Sequence, residues 1–139
     1  MTSLLKGFPY PEVTIKNLLS HRSGMRNYAY FTDDRKIWDN HKIMSNQDIL
    51  NIMITKKIGL ESKTNTRFQY CNTNYVLLAF VIEKITDQSF PAYMKENIFK
   101  PLKMENTYIF DAASISKYTP SYNAKMVPYK IEKYDCIYG

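Results

Sequence analysis

A mainly α-helical domain is what this sequence predicts, on three observations. Only 4 glycines stand beside 12 tyrosines, and so few left-handed turn positions favour helices joined by ordinary loops over many β-hairpins. Ser, Thr or Asn repeatedly precedes a segment whose apolar residues recur at helical spacing, the arrangement that caps an amphipathic helix. Residues 75–82 are eight consecutive apolar residues, which a helix must bury on nearly all sides.

Taken in order, residues 1–13 carry Gly7, Pro9 and Pro11, which disfavour a helix and predict an extended lead-in. Thr14 caps a helix over 15–21 with Ile15, Leu18 and Leu19 on one face, and Gly24 is the expected left-handed stop. Residues 25–44 mix Tyr28, Tyr30, Phe31 and Trp38 with charges, which reads as a surface loop with one short helix over 34–39. Ser45 or Asn46 caps the next helix, whose apolar face is Ile49, Leu50, Ile52 and Met53. Lys56 and Lys57 suit its C-terminal dipole and Gly59 stops it.

The run at 75–82 follows as the core helix. Asp87-Gln88 turns the chain, and Ser89 with Pro91 opens a last helix carrying Phe90, Tyr93, Met94, Ile98 and Phe99 up to Pro101. Beyond Thr107 the pattern loosens, and a short two-stranded β-ribbon over 126–137 is the only strand candidate. No internal repeat or low-complexity tract interrupts the chain, and 139 residues suffice for one core.

Composition excludes several classes of function. The net charge of +6 comes from 19 Lys and Arg scattered among 13 acids, so a solvated basic surface is expected rather than a nucleic-acid interface. Residues 1–10 lack the apolar run of a signal peptide, and no window approaches the ~20 apolar residues of a membrane span. Cys71 and Cys136 are expected to be free thiols, although their pairing stays open at this level. His21 and His41 lack metal-ligand spacing, so neither a metal nor a cofactor is expected.

The chemistry concentrates at Phe68-Gln69-Tyr70-Cys71-Asn72-Thr73-Asn74-Tyr75. A phenol and a carboxamide two residues apart open the apolar helix. A tyrosine serves as a general base only where nearby positive charge lowers its pKa from about 10. The plainer alternative is a satisfied buried phenol at Tyr70 and a helix N-cap at Asn72. Cys71, between them, is read as a small packing residue, since no base or positive group is offered to activate its thiol.

Three blocks together resemble the serine β-lactamase and penicillin-binding-protein superfamily, in its class C and DD-peptidase branch. Leu18-Leu19-Ser20-His21-Arg22-Ser23-Gly24 is similar to that branch's Leu-Leu-x-His-x-Ser-Gly block. Tyr70-Cys71-Asn72 resembles its Tyr-x-Asn motif. Ile98-Phe99-Lys100-Pro101-Leu102-Lys103-Met104 resembles its Ile-Phe-x-Pro-Leu-Gly-Met block, with Lys103 where glycine is usual.

The resemblance implies an acyl-transferring serine hydrolase acting on a β-lactam, a D-Ala-D-Ala peptide or an ester. In it Tyr70 matches the general base and Asn72 a substrate-contacting amide, and His21 matches a position used structurally. It also implies a Ser-x-x-Lys nucleophile and a Lys/His-Thr/Ser-Gly strand. Ser3-Leu4-Leu5-Lys6 satisfies the first pattern, but Gly7, Pro9 and Pro11 follow it where the family has a helix. Ser114-Ile115-Ser116-Lys117 satisfies it too, but lies downstream of Tyr70. Lys57-Ile58-Gly59 lacks the hydroxyl residue of the second pattern.

The expectation is therefore a single partial domain over 1–139, the helical subdomain of a β-lactamase-like fold without its α/β half. The parent would act on a small molecule or peptide, in a family usually periplasmic or extracellular. Alone, the chain would be inactive and prone to self-association through an exposed apolar face. The rival expectation is a non-catalytic helical module that binds a peptide or partner protein.

Overall fold

The apolar run lies within α4 (Asn72–Thr86), a fifteen-residue helix against which the other helices pack. A computed structural model describes residues 1–39, 41–42, 44–109 and 120–128 of the chain, and the backbone of 137–138. Cys71 precedes α4 in extended conformation, and Asp87 ends it at φ 54 with its N–H bonded to the Glu83 carbonyl. The helix is covered on one broad face rather than all round. Thr73, Asn74, Leu77, Ala79, Phe80 and Val81 are buried, while Tyr75 and Ile85 reach solvent. Truncating the fully buried Leu77 to alanine would cost about 2–5 kcal/mol through lost transfer energy and the cavity left behind.

Helix α1 (Ile15–Leu19) starts at Thr14, whose hydroxyl accepts from Asn17 N–H while the Asn17 side chain accepts from Thr14 N–H, a reciprocal cap. Five residues make less than a turn and a half, so of the expected face only Leu18 is buried, and Ile15 and Leu19 are exposed. His21, not Gly24, takes the left-handed position that ends this helix, at φ 54. Helix α2 (Tyr28–Phe31) forms earlier than expected because the Asn27 side chain caps it. Residues 34–39 make hydrogen-bonded turns about Asp34 instead of a helix.

Strand β1 (Met44–Ser45) runs directly into α3 (Asn46–Thr55), capped by Ser45 with Asp48 closing the reciprocal pair. The expected face of α3 is the buried one: Ile49, Leu50, Ile52 and Met53. Its end differs from expectation. Lys57 adopts φ 50, and Ile58 N–H reaches back to the Met53 carbonyl at 3.4 Å. Gly59, with free space about its Cα, is not the stop.

Ser89 caps α5 (Phe90–Met94), with Pro91 in the first turn, and the helix continues as a π-helical turn, Lys95–Phe99. Of the expected apolar set only Phe99 is buried. Met104 N–H closes on the Phe99 carbonyl at 2.8 Å with Lys103 left-handed at φ 54.

Residues 1–13 are not a loose extended lead-in. Turns at Met1 and Leu5 fold the segment back, and Leu5, Phe8, Tyr10 and Val13 enter the same core as Leu18, Ile49 and Leu77. Phe8 meets Tyr10 edge-on at 5.4 Å, and the Tyr10 hydroxyl bonds the Ile58 carbonyl.

Most of the ribbon expected over 126–137 lies outside the described residues, which show two pairings at its ends. Asn123 holds a turn that places Met126 at its tip, φ 58, and bridges Tyr122 to Pro128. Strand β2 (Ile137–Tyr138) pairs in parallel with β1, Met44 opposite Ile137 and Ser45 opposite Tyr138. Among the described residues the architecture is thus mostly helical with little strand. No helix among the described residues is long and apolar enough to cross a membrane.

Candidate functional site

Tyr70 and Asn72 sit where an extended segment turns into α4. Cys71 has φ −151 and ψ 114, and in extended backbone successive side chains point to opposite sides. Cys71 therefore turns inward, 2% exposed, while Tyr70 turns outward, 67% exposed. Two features of the plainer expectation are corrected. Tyr70 is not a buried phenol, and the cap position belongs to Cys71 without a side-chain hydrogen bond, leaving Asn72 as the first residue of the helix.

Beneath Tyr70 runs a seam of hydrogen bonds between two segments far apart in sequence. Gln69 N–H donates to the His21 carbonyl at 2.8 Å and Asn65 N–H to the Arg22 carbonyl at 2.7 Å. Glu61 N–H donates to the Gly24 carbonyl at 2.8 Å, and the Thr64 hydroxyl to the Ser23 carbonyl at 3.0 Å. Gly24 is required here twice over. Its φ is +78, and a Cβ at this position would stand 2.1 Å from the Ser62 carbonyl oxygen.

Side chains complete the seam. The Ser23 hydroxyl donates to Asn74 Oδ1 at 2.6 Å and accepts from Met25 N–H at 3.2 Å. Cys71 N–H donates to His21 Nδ1 at 3.2 Å, and Asn74 Nδ2 lies 3.2 Å from the same nitrogen. The imidazole also meets three rings: Tyr70 at 4.7 Å, Tyr75 at 5.1 Å and Phe68 at 5.8 Å between centroids.

Thr73 ties in the aromatic loop. Its hydroxyl donates to the Arg26 carbonyl and accepts from Tyr28 N–H, both at 2.7 Å. Tyr28 is thereby brought into electrostatic range of Tyr70. Burial raises the Tyr28 pKa above the ordinary tyrosine value, and the charge of an ionised Tyr70 raises it further. Cys71 is a free buried thiol. Its pKa is pushed up mainly by burial, against the opposing hydrogen bonds of Thr73 and Asn74.

Of the other sequence candidates, Ser3 and Lys6 are exposed in the N-terminal turns, and Lys57 follows the end of α3. Ser114 and Lys117 lie outside the described residues, as does Cys136. Asn74, Thr73 and Ser23, which hold the site together, escaped attention as a group. The available signal was Thr73 and Asn74 in the first turn of the apolar helix and Ser23 beside Gly24; all three are at most 1% exposed. Chemically, the arrangement offers an exposed phenol and a neighbouring carboxamide on a backbone held from below.

Comparison with known proteins matches the family model Beta-lactamase to residues 4–133. The chain is 36% identical over 132 residues to penicillin-binding protein 4* of Bacillus subtilis (strain 168), covering 94% of this chain and 26% of that protein. The structure resembles the octameric penicillin-binding protein homologue from Pyrococcus abyssi with a TM-score of 0.65 at 29% identity, over 95% of this chain and 32% of that one. It also resembles D-amino acid amidase from Ochrobactrum anthropi SV3, complexed with D-phenylalanine, with a TM-score of 0.62 at 27% identity over 78% and 30% of the two chains. The chain thus spans between a quarter and a third of the length of these proteins.

Proposed function

Because the chain belongs to the Beta-lactamase family, we propose that it is the helical part of an acyl-transferring serine hydrolase. Its site would take a β-lactam, a D-Ala-D-Ala peptide or an ester, with Tyr70 as general base and Asn72 as the amide that holds the substrate. The observation that carries this reading is that a two-thirds exposed phenol is seated on a buried hydrogen-bonded seam. Ordering an exposed ring costs side-chain entropy, and a purely structural tyrosine would recover that cost by burying itself.

The remaining parts of the machinery would come from outside these helices. Ser3-Leu4-Leu5-Lys6 opens no helix, and its serine is exposed on a turn. Alone, the 139 residues are therefore proposed to be inactive. Incubation with a chromogenic β-lactam, an aryl ester and a fluorescent penicillin is expected to give neither turnover nor labelling; stoichiometric labelling of any serine overturns this.

The family role is tested by reading the flanking DNA for Ser-x-x-Lys and Lys/His-Thr/Ser-Gly and expressing the whole protein. There Tyr70→Phe should lower acylation by about 10²- to 10⁴-fold. Absence of either motif, or unimpaired acylation, sinks the assignment.

A second reading, a non-catalytic module for a peptide or partner protein, draws on the exposed Phe68, Tyr70 and Tyr75 clustered about His21. It expects a stable monomer with a cooperative melt. The hydrolase part is expected to self-associate through this uncovered apolar surface.

A further inference from the structure

His21 is the one ionisable side chain in direct contact with both the ring of Tyr70 and the backbone behind it, among the contacts described. The hydrogen bonds around it take their direction from a group that cannot reverse. Cys71 N–H is an obligate donor and reaches His21 Nδ1 at 3.2 Å, so that nitrogen accepts. Asn74 then turns its NH₂ toward the same nitrogen at 3.2 Å, which leaves its Oδ1 to accept from the Ser23 hydroxyl, itself an acceptor from Met25 N–H. Two donors converge on Nδ1, which satisfies them only as a bare lone pair.

We propose that His21 is the positioning residue of Tyr70, held as the neutral tautomer with its proton on Nε2. Its Nδ1 clamps the Cys71 N–H, and its ring meets the phenol ring at 4.7 Å between centroids, tilted by 43°. The inference rests on the reading of Tyr70 as the base. His21 itself touches no substrate; it acts by fixing the backbone one residue after the phenol and through the tilted contact of the two rings. The left-handed backbone at His21, φ 54, together with the Gln69 N–H bond to its carbonyl at 2.8 Å, sets the imidazole against this segment.

The test uses the 139-residue chain with ¹⁵N-labelled histidine and ¹³C-labelled tyrosine, observed by NMR at neutral pH. His21 is distinguished from His41 by the variant His41→Gln. The expected result is a bare Nδ1 and a protonated Nε2 at His21. A proton on Nδ1 overturns the proposal.

Two variants separate positioning from bulk packing. His21→Asn places a carboxamide oxygen where Nδ1 stood and should keep the Tyr70 Cα resonance at its native, extended-backbone position. His21→Phe keeps an aromatic ring without the acceptor and should move that resonance toward random coil. An unmoved Tyr70 Cα in folded His21→Phe overturns the clamp. If that variant does not fold, the tautomer in the native chain and the behaviour of His21→Asn decide. Because these readouts involve no acylation, the clamp can stand while Tyr70→Phe shows Tyr70 not to be the base, and the reverse outcome is equally visible.

Discussion

Ser23 Oγ donates to Asn74 Oδ1 at 2.6 Å across 51 residues of chain, with both side chains buried. Each is the other's partner inside the core, so neither is replaceable alone. Asn74→Leu leaves the Ser23 hydroxyl, Cys71 N–H and His21 with a changed neighbour and should cost about 2–4 kcal/mol; Ser23→Ala should cost about 1–2 kcal/mol. Denaturant unfolding with a double-mutant cycle checks both, and the double variant should cost less than the sum.

Gly24→Ala should destabilise the chain by about 3 kcal/mol or more, since a left-handed φ of +78 and a carbonyl 2.1 Å from the new Cβ act together. Gly59→Ala, where nothing lies within 4 Å of the added Cβ, should be neutral or stabilise by about 0.4–1 kcal/mol. The contrast in melting temperature between the two variants is the measurement.

Lys103 stands in the left-handed region at φ 54, in the turn closed by Met104 N–H on the Phe99 carbonyl. Lys103→Gly should raise stability by about 1 kcal/mol, because glycine occupies this region without the Cβ clash. A fall in the denaturation midpoint would show that the lysine side chain supplies something the backbone geometry conceals.

Cys71 should resist alkylation in the native chain. Burial raises its pKa and so suppresses the thiolate, which is the reactive form. The rate with iodoacetamide at pH 8 is expected to rise sharply in denaturant. Equal rates in both states would contradict the inward placement of the side chain.

The alkaline limb of stability should involve Tyr28 and Tyr10. Both have folded pKa values above the unfolded tyrosine value, through burial first, then the charge of Tyr70 for Tyr28 and of Glu12 for Tyr10. The unfolded phenols ionise first, near pH 10, so the folded state binds more protons and stability falls as pH rises through and above that value. Tyr28→Phe should flatten this fall. A thermal-melt series from pH 8 to 11 reads it directly.

The capped helices were the legible part of the fold. Thr14, Ser45 and Ser89 each cap as their side-chain chemistry dictates, because capping is decided within three residues. Helix ends were misread at His21 and Lys57, where non-glycine residues take left-handed backbone while Gly59 does not. Local propensity favours glycine there; at His21 the long-range bond from Gln69 N–H holds the conformation, and at Lys57 the turn is closed by Ile58 N–H on the Met53 carbonyl.

At the site, the motif around Tyr70 and Asn72 was visible as a spacing, but its support was not. Asn74 gains its role only when Ser23 and His21 arrive from the other side of the core, and no local pattern encodes that meeting. The pairing of β1 with β2 was hidden for the same reason, two residues on each side being too short to leave a periodic trace.

The polar seam has a kinetic consequence. Its partners are separated by 37 positions, from Gly24 to Glu61, up to 53, from His21 to Asn74, so a long loop must close before any of these bonds is gained, and the entropy of closure comes first. Helical segments this short form within microseconds, yet the phenol reaches its seat only when two remote stretches encounter each other. The rate at which this chain becomes native is governed by that encounter, and is slower than its helix content alone would suggest.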